Sequence, residues 1–564
     1  MKQPLSMDQD SLHRFLLAAV LLLLSVSFGL SYGISTHSTY LLDGLVRIDP
    51  DFLQHDWLAT ETTHYHSFFW IIVKFAAFTG SIGWCMAFFN CIVILASFWI
   101  VYRLNILLAP EEGKPAIYFL VCFVLIDQTL SVGYSALQGL VLQPSSLGAL
   151  FTLGALFFFV KGRFLPSGIL LAIAGFFHTN YLVLGFPFFG LAHLLLGYRG
   201  LLPRLVRQHG FSLVLFSIKL PFLLNMAKGS NAELARHIFL FVRSPHHYVP
   251  MTYLNSFLPL VGWAVLGFVS LYSLRIENEL RQRVRAFYLS LVIILFLATF
   301  LTTVIFMPVV SQLFFWRFAP FCVLLGKVFF ILYCLERFLS EGDETAGGPF
   351  WKTGIMLAGL ALIARYYTYT FGWFDRQTIY IGVGLFSLFV AVLFPWSRFV
   401  PNQSYRRTGL VVFLLAWFAV LSPWVFERFI ENSSLLNGFP GQQRAQLYAW
   451  AKTSTTDSRF MVVPDMQYFR IQSGRAVVVD WKSTPIDPDG LVEWYRRICA
   501  LAGKDEIKNL GEALTGYSNM TSERLVRLRD QYKIDFAVFY REKQPLKLNQ
   551  KVAFSNDKYV VLKL

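Results

Sequence analysis

Charged residues are scarce in this sequence. Asp, Glu, Lys and Arg make up 15% of its 564 residues, whereas hydrophobic residues make up 55%. Soluble domains usually contain about 25% charged residues. The composition therefore excludes an ordinary soluble protein and predicts a membrane protein that crosses the bilayer many times.

Cysteine is also scarce, and its spacing excludes the usual metal and redox motifs. The chain has six cysteines, and none of them forms a CxxC pair. Five lie in apolar segments, where cysteine behaves as a small hydrophobic residue. We therefore expect neither disulfides nor metal ligands at Cys85, Cys91, Cys122, Cys322, Cys334 and Cys499.

Several sequence signatures are missing. We find no Walker or Rossmann glycine pattern, no nucleophile elbow and no HExxH pair. The chain also shows no internal repeat and no low-complexity tract. The apolar segment after Arg14 lacks a clear cleavage site for a signal peptidase, so it is predicted to remain as a membrane anchor.

Apolar runs of spanning length recur along the chain. A spanning helix needs about 20 mostly apolar residues, and this criterion predicts about 11–13 transmembrane helices. The pair at 165–182 and 183–198 could also be one span followed by a broken helix. The predicted spans lie near 14–33, 84–103, 115–134, 145–161, 165–182, 183–198, 210–226, 257–274, 286–307, 312–335, 353–369, 377–395 and 408–426.

Lysine and arginine alternate between rich and poor loops. The formal net charge is +15, and the positive-inside rule assigns the basic loops to the cytoplasm. This places the N-terminus inside and the loops 34–83 and 227–256 outside. An odd number of spans also puts the C-terminal residues 432–564 outside the cytoplasm. Membrane lipids, rather than nucleic acid, are the expected partners of the basic residues.

The composition changes after Glu427. Residues 1–431 form the predicted transmembrane domain, and residues 432–564 alternate strand-like and helical patterns, which predicts a small extracytoplasmic α/β domain. We expect this domain to be a lid or an acceptor-binding module. Arg470 and Arg475 are its candidates for contact with an anionic ligand, and ordinary ion pairs are the alternative. The strands are predicted at 459–463, 476–481, 536–540 and 559–564, and the helices at 442–452, 490–501 and 522–532.

The first outer loop carries unusual polar density, with four aspartates and four histidines between Ser35 and Trp70. Asp49 followed by Pro50 predicts a helix that begins with Asp49 as its N-cap. Asp51 then falls in the first turn, where the helix dipole favours a carboxylate. A structural role therefore accounts for both of these aspartates.

Asp56 differs from the other two because it would lie inside this helix and cap nothing. It would border an apolar stripe, where a carboxylate acquires a raised pKa unless a cation or metal compensates. Asp56 is therefore the first candidate for a catalytic base, ahead of Asp49 and Asp51, and a solvated helix carboxylate is the alternative. Asp56 also shares a helical face with His64, which leaves a metal site open at this pair. The stripe consists of Phe52, Leu53 and Trp57.

Basic and aromatic residues fill the second outer loop, ARHIFLFVRSPHHYVP. Arginine and histidine there are suited to phosphate, and a basic helix on lipid headgroups is an equal alternative. Arg317 lies about one turn inside the outer end of its span, where it could reach the headgroups or hold an anion. Asp127 is predicted to pair with Lys219. The candidate phosphate-binding residues are Arg243, His246, His247, Arg317 and His178.

The predicted topology resembles the GT-C superfamily of membrane glycosyltransferases. The stretches DPDFLQHDW, SPHHYVP and TSTTDSRFMVVPDMQYFRIQSGRAVVVDWKSTP resemble a bacterial branch of polytopic proteins within it. The resemblance implies a multi-pass protein of the bacterial cytoplasmic (inner) membrane. The chain lacks a WWDYG-type signature and an adjacent pair of acidic residues, in which it departs from oligosaccharyltransferases and mannosyltransferases.

The resemblance also implies a chemistry. A polyprenyl-phosphate sugar would be the donor, and an extracytoplasmic cell-envelope glycan, lipid or protein would be the acceptor. An aspartate of the first loop would deprotonate the acceptor opposite the phosphate, with inversion at the anomeric carbon. Arginine, histidine or a divalent cation would stabilise the leaving phosphate. A transporter or lipid flippase and a non-catalytic GT-C-like assembly protein remain alternatives, and one cavity holding Asp56, Arg317 and His246 would favour the enzyme.

Overall fold

The computed structural model describes residues 9–62, 68–127, 131–227, 231–339, 350–372, 374–393, 396–438, 441–543 and 550–564. Most of these residues are α-helical, and a five-stranded sheet lies near the C-terminal end. The prediction of a polytopic helical membrane protein with a small C-terminal α/β domain is confirmed.

The N-terminal helix leads directly into the first outer loop. This loop is built from short helices instead of the single surface helix that the sequence predicted, and the last of them packs back towards the membrane helices. The elements are α1 (Gln9–Ser27), α2 (His37–Tyr40), α3 (Leu42–Ile48), α4 (Trp57–Glu61) and α5 (Phe69–Phe78).

A series of apolar helices follows, and every predicted span coincides with one of the apolar helices. The uncertain pair is resolved as two helices that meet at His178. The first group comprises α6 (Ile82–Leu108), α7 (Gly113–Ile126), α8 (Pro144–Val160), α9 (Phe164–Phe177), α10 (Thr179–Leu195) and α11 (Leu201–Ala227).

The second outer loop separates this group from the remaining membrane helices. The loop contains α12 (Ala232–His237), a π-helix (Ile238–Arg243), α13 (Pro245–Tyr248) and a 3₁₀ helix (Pro250–Ser256). After it come α14 (Phe257–Ser273), α15 (Asn278–Thr303), α16 (Pro308–Leu313), α17 (Ala319–Leu339), α18 (Phe350–Phe371), α19 (Arg376–Leu393), α20 (Trp396–Phe399) and α21 (Gln403–Glu431).

Within the described residues, five segments are long and apolar enough by themselves to cross a membrane. The other apolar helices are shorter, and a 3₁₀ turn at Phe315–Phe318 interrupts the run between α16 and α17. The five segments are Ile82–Leu108, Leu254–Ser273, Asn278–Thr303, Pro308–Leu339 and Gln403–Glu431.

Two membrane helices cross at a pair of glycines. A Cβ atom added to Gly267 in α14 would lie 2.6 Å from the Cα atom of Gly326 in α17, and one added to Gly326 would lie 2.3 Å from the carbonyl oxygen of Trp263. Small residues let membrane helices approach this closely because no side chain separates the backbones. The crossing keeps α17 against α14.

The predicted pairing of Asp127 with Lys219 is wrong. The Asp127 carboxylate, at the end of α7, accepts a 2.8 Å hydrogen bond from Lys327 Nζ in α17. Lys219 Nζ instead donates to the carbonyl oxygen of Gly175 at 2.8 Å. Charges inside a membrane need local partners, and the packing of helices decides which partner is near.

The C-terminal domain is an α/β unit whose sheet has the strand order β2-β1-β3-β5-β4. Strands β2, β1 and β3 are parallel, and β3, β5 and β4 are antiparallel. The strands are β1 (Arg459–Met461), β2 (Ala476–Val477), β3 (Phe536–Tyr540), β4 (Lys551–Ser555) and β5 (Tyr559–Lys563). The helices are α22 (Ser434–Asn437), α23 (Gln442–Thr453), α24 (Phe469–Ser473), α25 (Pro488–Ala502), α26 (Leu510–Ser518) and α27 (Ser522–Tyr532).

The first outer loop, the second outer loop and the C-terminal domain lie on one side of the membrane helices. The end of α1 is tied to the end of α21 because the backbone N–H of Leu30 donates to Ser433 Oγ at 2.9 Å. Ala235 and Ile238 of the second loop belong to the buried core of the C-terminal domain, and Trp57 of the first loop packs against it. The predicted outer segments therefore form one assembly.

Candidate functional site

Asp56 begins a helix instead of lying inside one. Its backbone is extended, and its Oδ1 accepts the backbone N–H of Ala59 at 3.1 Å, which makes it the N-cap of α4. The predicted helix start at Asp49 is wrong, because Asp49 ends α3 and its Oδ1 accepts the N–H of Asp51 at 3.1 Å. An aspartate of this kind closes a turn as readily as it caps a helix, and here the turn is formed.

The other carboxylate oxygen of Asp56 joins the first loop to the C-terminal domain. Oδ2 accepts Arg470 Nε at 2.6 Å and the backbone N–H of Val477 at 2.8 Å. Arg470 also pairs with Asp480 and donates to the carbonyl oxygen of Val477 at 3.2 Å. Asp56, Arg470 and Asp480 are 0%, 2% and 0% exposed, and we call these three residues the buried ion network.

The three residues of the buried ion network are enclosed by the protein and cannot contact a substrate. Both oxygens of Asp56 are occupied, so the prediction of a partly desolvated base at the border of an apolar stripe is corrected. Burial lowers the pKa of Arg470, whereas the carboxylates of Asp56 and Asp480 raise it, and the net shift is upward. Arg475 is likewise turned inward, and its guanidinium donates to the carbonyl oxygens of Lys452 and Ser454. Neither arginine presents its charge to an external anion.

Four of the predicted phosphate-binding residues do come together. Arg243 ends the π-helix, His246 and His247 lie in α13, and Arg317 lies in the 3₁₀ turn before α17. Lys482 of the C-terminal domain joins them: Arg243 Nη2 donates to its carbonyl oxygen at 2.7 Å, and its ammonium acts electrostatically on both histidines. We call these five residues the basic cluster.

The cluster is held by contacts on each side. The His247 Nδ1 lies 2.6 Å from the carbonyl oxygen of Gly133, so this nitrogen carries the proton and leaves Nε2 as an acceptor. The His246 and His247 rings lie 4.2 Å apart. The guanidinium of Arg317 lies 4.8 Å from the centre of the Phe314 ring, which in turn contacts His247 at 5.6 Å.

Burial is the main influence on the ionisable groups of the cluster, and neighbouring cations add to it. Burial, with the charges of Arg243 and Lys482, lowers the pKa of His246 to about 4. Burial and its neighbour His246 lower the pKa of His247 to about 3. Burial and Arg243 also lower the pKa of Lys482. A bound anion would oppose both effects, because an opposite charge nearby favours the protonated form of histidine and lysine.

Arg317 is aimed by a break in its helix. Phe314 adopts a left-handed backbone with φ of 55°, which ends α16 and turns the following residues towards the second outer loop. The Arg317 Nε is buried and makes no hydrogen bond to the part of the chain that the structure describes. A guanidinium held in this way can make directed bonds to phosphate oxygens.

His178 lies behind the cluster instead of inside it. Its backbone links α9 to α10, and its buried ring lies 5.6 Å from the ring of Tyr181. Tyr181 in turn lies within electrostatic range of Arg317. His178 was predicted to contact phosphate. In the structure it instead contacts Tyr181, and Tyr181 lies between His178 and Arg317.

Sequence reasoning missed Lys482, which reaches the cluster from far along the chain. Asp480 Oδ1 accepts the backbone N–H groups of Lys482 and Ser483 at 2.8 and 2.7 Å. This turn presents Lys482 directly after the buried ion network. The DWKS motif carries the signal, because an aspartate two residues before a lysine predicts such a turn, but only the fold brings it to Arg243.

Asp43 is a further carboxylate of the first loop that sequence reasoning missed. Its side chain is 13% exposed, and its Oδ1 accepts Arg47 Nε at 2.7 Å. Its Oδ2 is buried and has no hydrogen-bond partner within the described segments. Tyr40 lies three residues earlier, at the end of α2. Burial is the main cause that raises the pKa of Tyr248 beside the cluster, and the Tyr40 phenol adds to this shift.

Tight packing fixes the position of α3. A Cβ atom on Gly44 would lie 2.5 Å from the Val73 Cβ of α5, so only glycine allows this contact. At the other end of the segment, His37 Nδ1 accepts the N–H of Gly33 at 3.1 Å, and its Nε2 donates to the carbonyl oxygen of Leu142 at 2.9 Å. Asp43 therefore lies on a segment that is anchored on both sides.

A metal site at Asp56 and His64 does not fit these contacts. Arg470 occupies the Asp56 oxygen that a cation would need, and His64 lies outside the described residues. Within the described ranges, no group of three or more histidine, cysteine, aspartate or glutamate side chains could hold a metal ion. The basic cluster would repel a divalent cation, so it is not a substitute ligand set.

Comparisons with known proteins match a family model and solved structures. Residues 442–501 match a family described as a domain of unknown function, DUF6798. The chain is similar over 99% of its length to ArnT from Cupriavidus metallidurans, whose crystal structure is bound to undecaprenyl phosphate. That match covers 98% of ArnT with 10% identity and a TM-score of 0.47. No curated protein matches the chain.

These matches cover the chain differently. DUF6798 falls inside the C-terminal domain and spans α23 to α25, including Arg470, Asp480 and Lys482. The ArnT match concerns the layout of the whole chain. At its low identity it assigns no residue, so the roles of individual side chains follow from the contacts described above.

Proposed function

We propose that this protein is an integral membrane glycosyltransferase. It moves a sugar from a polyprenyl-phosphate donor to an extracytoplasmic acceptor, a cell-envelope glycan, lipid or protein, with inversion. The observation that carries the proposal is the basic cluster, because five cationic or protonatable groups converge where the membrane helices meet the C-terminal domain. A lipid-linked phosphate enters from the membrane side and needs positive charge at this level.

The cluster supports the leaving group in the proposed reaction. As the bond between the anomeric carbon and the phosphate oxygen breaks, negative charge accumulates on the phosphate. Arg243, Arg317 and Lys482 stabilise that charge, and fixed donors at the point where charge develops are an effective form of catalysis. The polyprenyl phosphate leaves without taking up a proton from the protein.

Asp43 is the proposed base. Its carboxylate accepts the proton of the acceptor hydroxyl while the oxygen forms its bond to the anomeric carbon opposite the phosphate. Asp49 and Asp51 are exposed on the turn after α3, and Asp56 is enclosed in the buried ion network. Asp43 combines partial burial with a position three residues after Tyr40, whose phenol acts electrostatically on Tyr248 beside the cluster.

A transporter or flippase receives less support. Two of the charges inside the membrane helices have local partners, Lys327 with Asp127 and Lys219 with Gly175. A transport path would need polar groups that face a continuous channel. The basic cluster instead lies at one membrane face, beneath a domain that closes over it.

Arg317→Gln is expected to weaken binding of undecaprenyl phosphate by about 10- to 100-fold. Loss of a hydrogen bond to a charged group costs about 1.5–3 kcal/mol, and 1.4 kcal/mol is a factor of ten in affinity. Binding would be measured in lipid nanodiscs by native mass spectrometry. Arg376→Gln is the control because this exposed arginine pairs with Glu427, away from the cluster.

Phosphatidylglycerol distinguishes a specific site from a general lipid surface. The proposal predicts that it competes poorly and that its weak binding responds equally to both arginine variants. If undecaprenyl phosphate and phosphatidylglycerol bind equally well, and Arg317→Gln changes neither, the cluster is a headgroup-binding surface and the proposed function fails.

The two histidines of the cluster predict a pH dependence. With pKa values of about 4 and 3, both histidines are neutral at pH 7 in the folded protein. As the pH falls, the unfolded chain takes up protons at these histidines before the folded protein does. The free protein therefore loses stability as the pH falls from 6.5 to about 4. A bound phosphate raises both pKa values. Stabilisation by undecaprenyl phosphate is therefore expected to grow as the pH falls.

Thermal unfolding with and without undecaprenyl phosphate at pH 7.5, 6 and 5 measures this effect. The double variant His246→Gln/His247→Gln is the control. The phosphate of the ligand titrates in both proteins, but the two histidines are present only in the wild type. The stabilisation by undecaprenyl phosphate should increase more towards low pH in the wild type than in the double variant. Identical increases would show that the histidines do not face the phosphate.

A further inference from the structure

A cavity separate from the basic cluster opens between the first outer loop and the C-terminal domain. Its volume is about 280 Å³, close to the lower end of about 300 Å³ for small-molecule sites. It therefore has room for one small ring. Its walls come from the turn before α4, from α4 itself, from β1 and β2, and from α25 and α27. The side chains that matter below are Trp57, Glu61, Arg459, Arg497, Gln531 and Tyr532.

Two aromatic rings and an arginine form one wall of this cleft. The Arg497 guanidinium lies 4.3 Å from the centre of the Trp57 ring and 5.2 Å from that of Tyr532. Its charge is also balanced by Glu493, whose carboxylate accepts Arg497 Nε at 2.8 Å. Stacking of this kind holds all three side chains in place, so the wall is preformed.

The remaining charged side chains of the cleft that matter here are Arg459 and Glu61, one of each sign. Arg459 donates through Nη1 to the carbonyl oxygen of Tyr532 at 3.4 Å, and Glu61 adds a carboxylate of opposite sign. Glu61 and Gln531 are exposed, so their oxygen and nitrogen atoms can bond a ligand. The cleft therefore offers a mixture of donors and acceptors beside an aromatic wall, without a surplus of cations.

This chemistry differs from that of the basic cluster. A phosphate or carboxylate ligand would need uncompensated cations, whereas an uncharged ring with many hydroxyl groups needs paired donors and acceptors. The apolar C–H face of such a ring packs against aromatic side chains, which supply flat apolar area with a polar edge. An uncharged sugar ring satisfies both requirements.

We propose that this cleft binds an uncharged sugar ring. If the ring is assigned by the proposed function, on which this step rests, it belongs to the acceptor glycan. The cleft is then an acceptor subsite apart from the donor phosphate site. Val477 joins the two sites: it lines the cleft and also bonds Asp56 in the buried ion network, five residues before Lys482 of the cluster. An acceptor held in the cleft is thus positioned by the strand that leads to the donor site.

Saturation-transfer NMR with the full chain in lipid nanodiscs tests the proposal, since glycoside detergents would compete. The probes are N-acetylglucosamine, glucose, glucuronate and AMP. We expect transfer to the uncharged sugars, and loss of at least three quarters of that signal in Tyr532→Leu and in Gln531→Ala. Arg529→Ala, on the same helix but outside the cleft, should retain it.

The possible outcomes separate this proposal from the proposed function. Binding of the uncharged sugars that depends on Tyr532 and Gln531 supports the cleft even in a protein that transfers no sugar. Preference for glucuronate or AMP overturns the assigned ligand class. No binding, or binding that neither variant changes, overturns the site, and it leaves transfer from a polyprenyl-phosphate sugar to be judged by its own assay.

Discussion

Asp43→Asn is expected to lower the rate of sugar transfer by about 100- to 10,000-fold, the usual range for loss of a general base. Asparagine keeps the shape of the side chain and can still bond Arg47, so the fold should be preserved. The measurement is single-turnover formation of product from a polyprenyl-phosphate sugar in nanodiscs, together with the melting temperature of each variant.

Asp49→Asn is the matched control. Its carboxylate is exposed and bonds only the backbone N–H of Asp51 within the described structure, a role that asparagine fills equally well. We expect a change of less than threefold for this variant. If Asp43→Asn transfers sugar as fast as the wild type, the assignment of the base to α3 is wrong; a larger loss at Asp49 would move the base to the turn after it.

Arg470→Met is expected to undock the C-terminal domain from the first outer loop. The substitution leaves Asp56 and Asp480 buried without their cation, and breaking a buried ion pair in this way costs about 3–5 kcal/mol. Hydrogen exchange should rise in α4 and at 476–483. Arg529→Met, which removes an exposed arginine paired with Asp530, should leave exchange in both segments unchanged.

A second substitution shows whether the loss comes from unpaired charge. Asp56→Asn removes one of the two stranded carboxylates and retains the N-cap, since asparagine caps helices as well as aspartate does. The double variant Arg470→Met/Asp56→Asn should therefore be more stable than Arg470→Met alone. Equal or lower stability would mean that packing of the arginine, and not its charge, holds the two segments together.

The sequence predicted the parts of the fold that depend on local pattern. The apolar helices follow from the length of uninterrupted apolar runs, because a bilayer leaves no other way to satisfy the backbone. The strand at Phe536–Tyr540 and the helix at Ser522–Tyr532 were predicted with their observed bounds. Strand β4 was missed because Lys551–Ser555 is largely exposed and carries little apolar alternation.

The parts that failed depend on contacts between distant residues. Asp56 and Arg470 are 414 positions apart, and nothing near Asp56 indicates that an arginine will cover it. The choice between Lys219 and Lys327 as partner of Asp127 depends on which helix packs against α7. Arg243 and His246 were found because the second outer loop is rich in basic residues, and Arg317 because it lies near the outer end of its span. Lys482 required the docking of the C-terminal domain.

Transfer of a labelled sugar from a polyprenyl phosphate by the purified protein tests the central claim most directly. A membrane fraction of the organism that encodes the protein would supply the acceptors, and the double variant Arg243→Gln/Arg317→Gln would serve as the comparison. The basic cluster predicts transfer by the wild type and a rate at least about 100-fold lower in the double variant, because two charged hydrogen bonds to the phosphate are lost. Equal transfer by both proteins, or no transfer by the wild type with any polyprenyl-phosphate sugar, would contradict it.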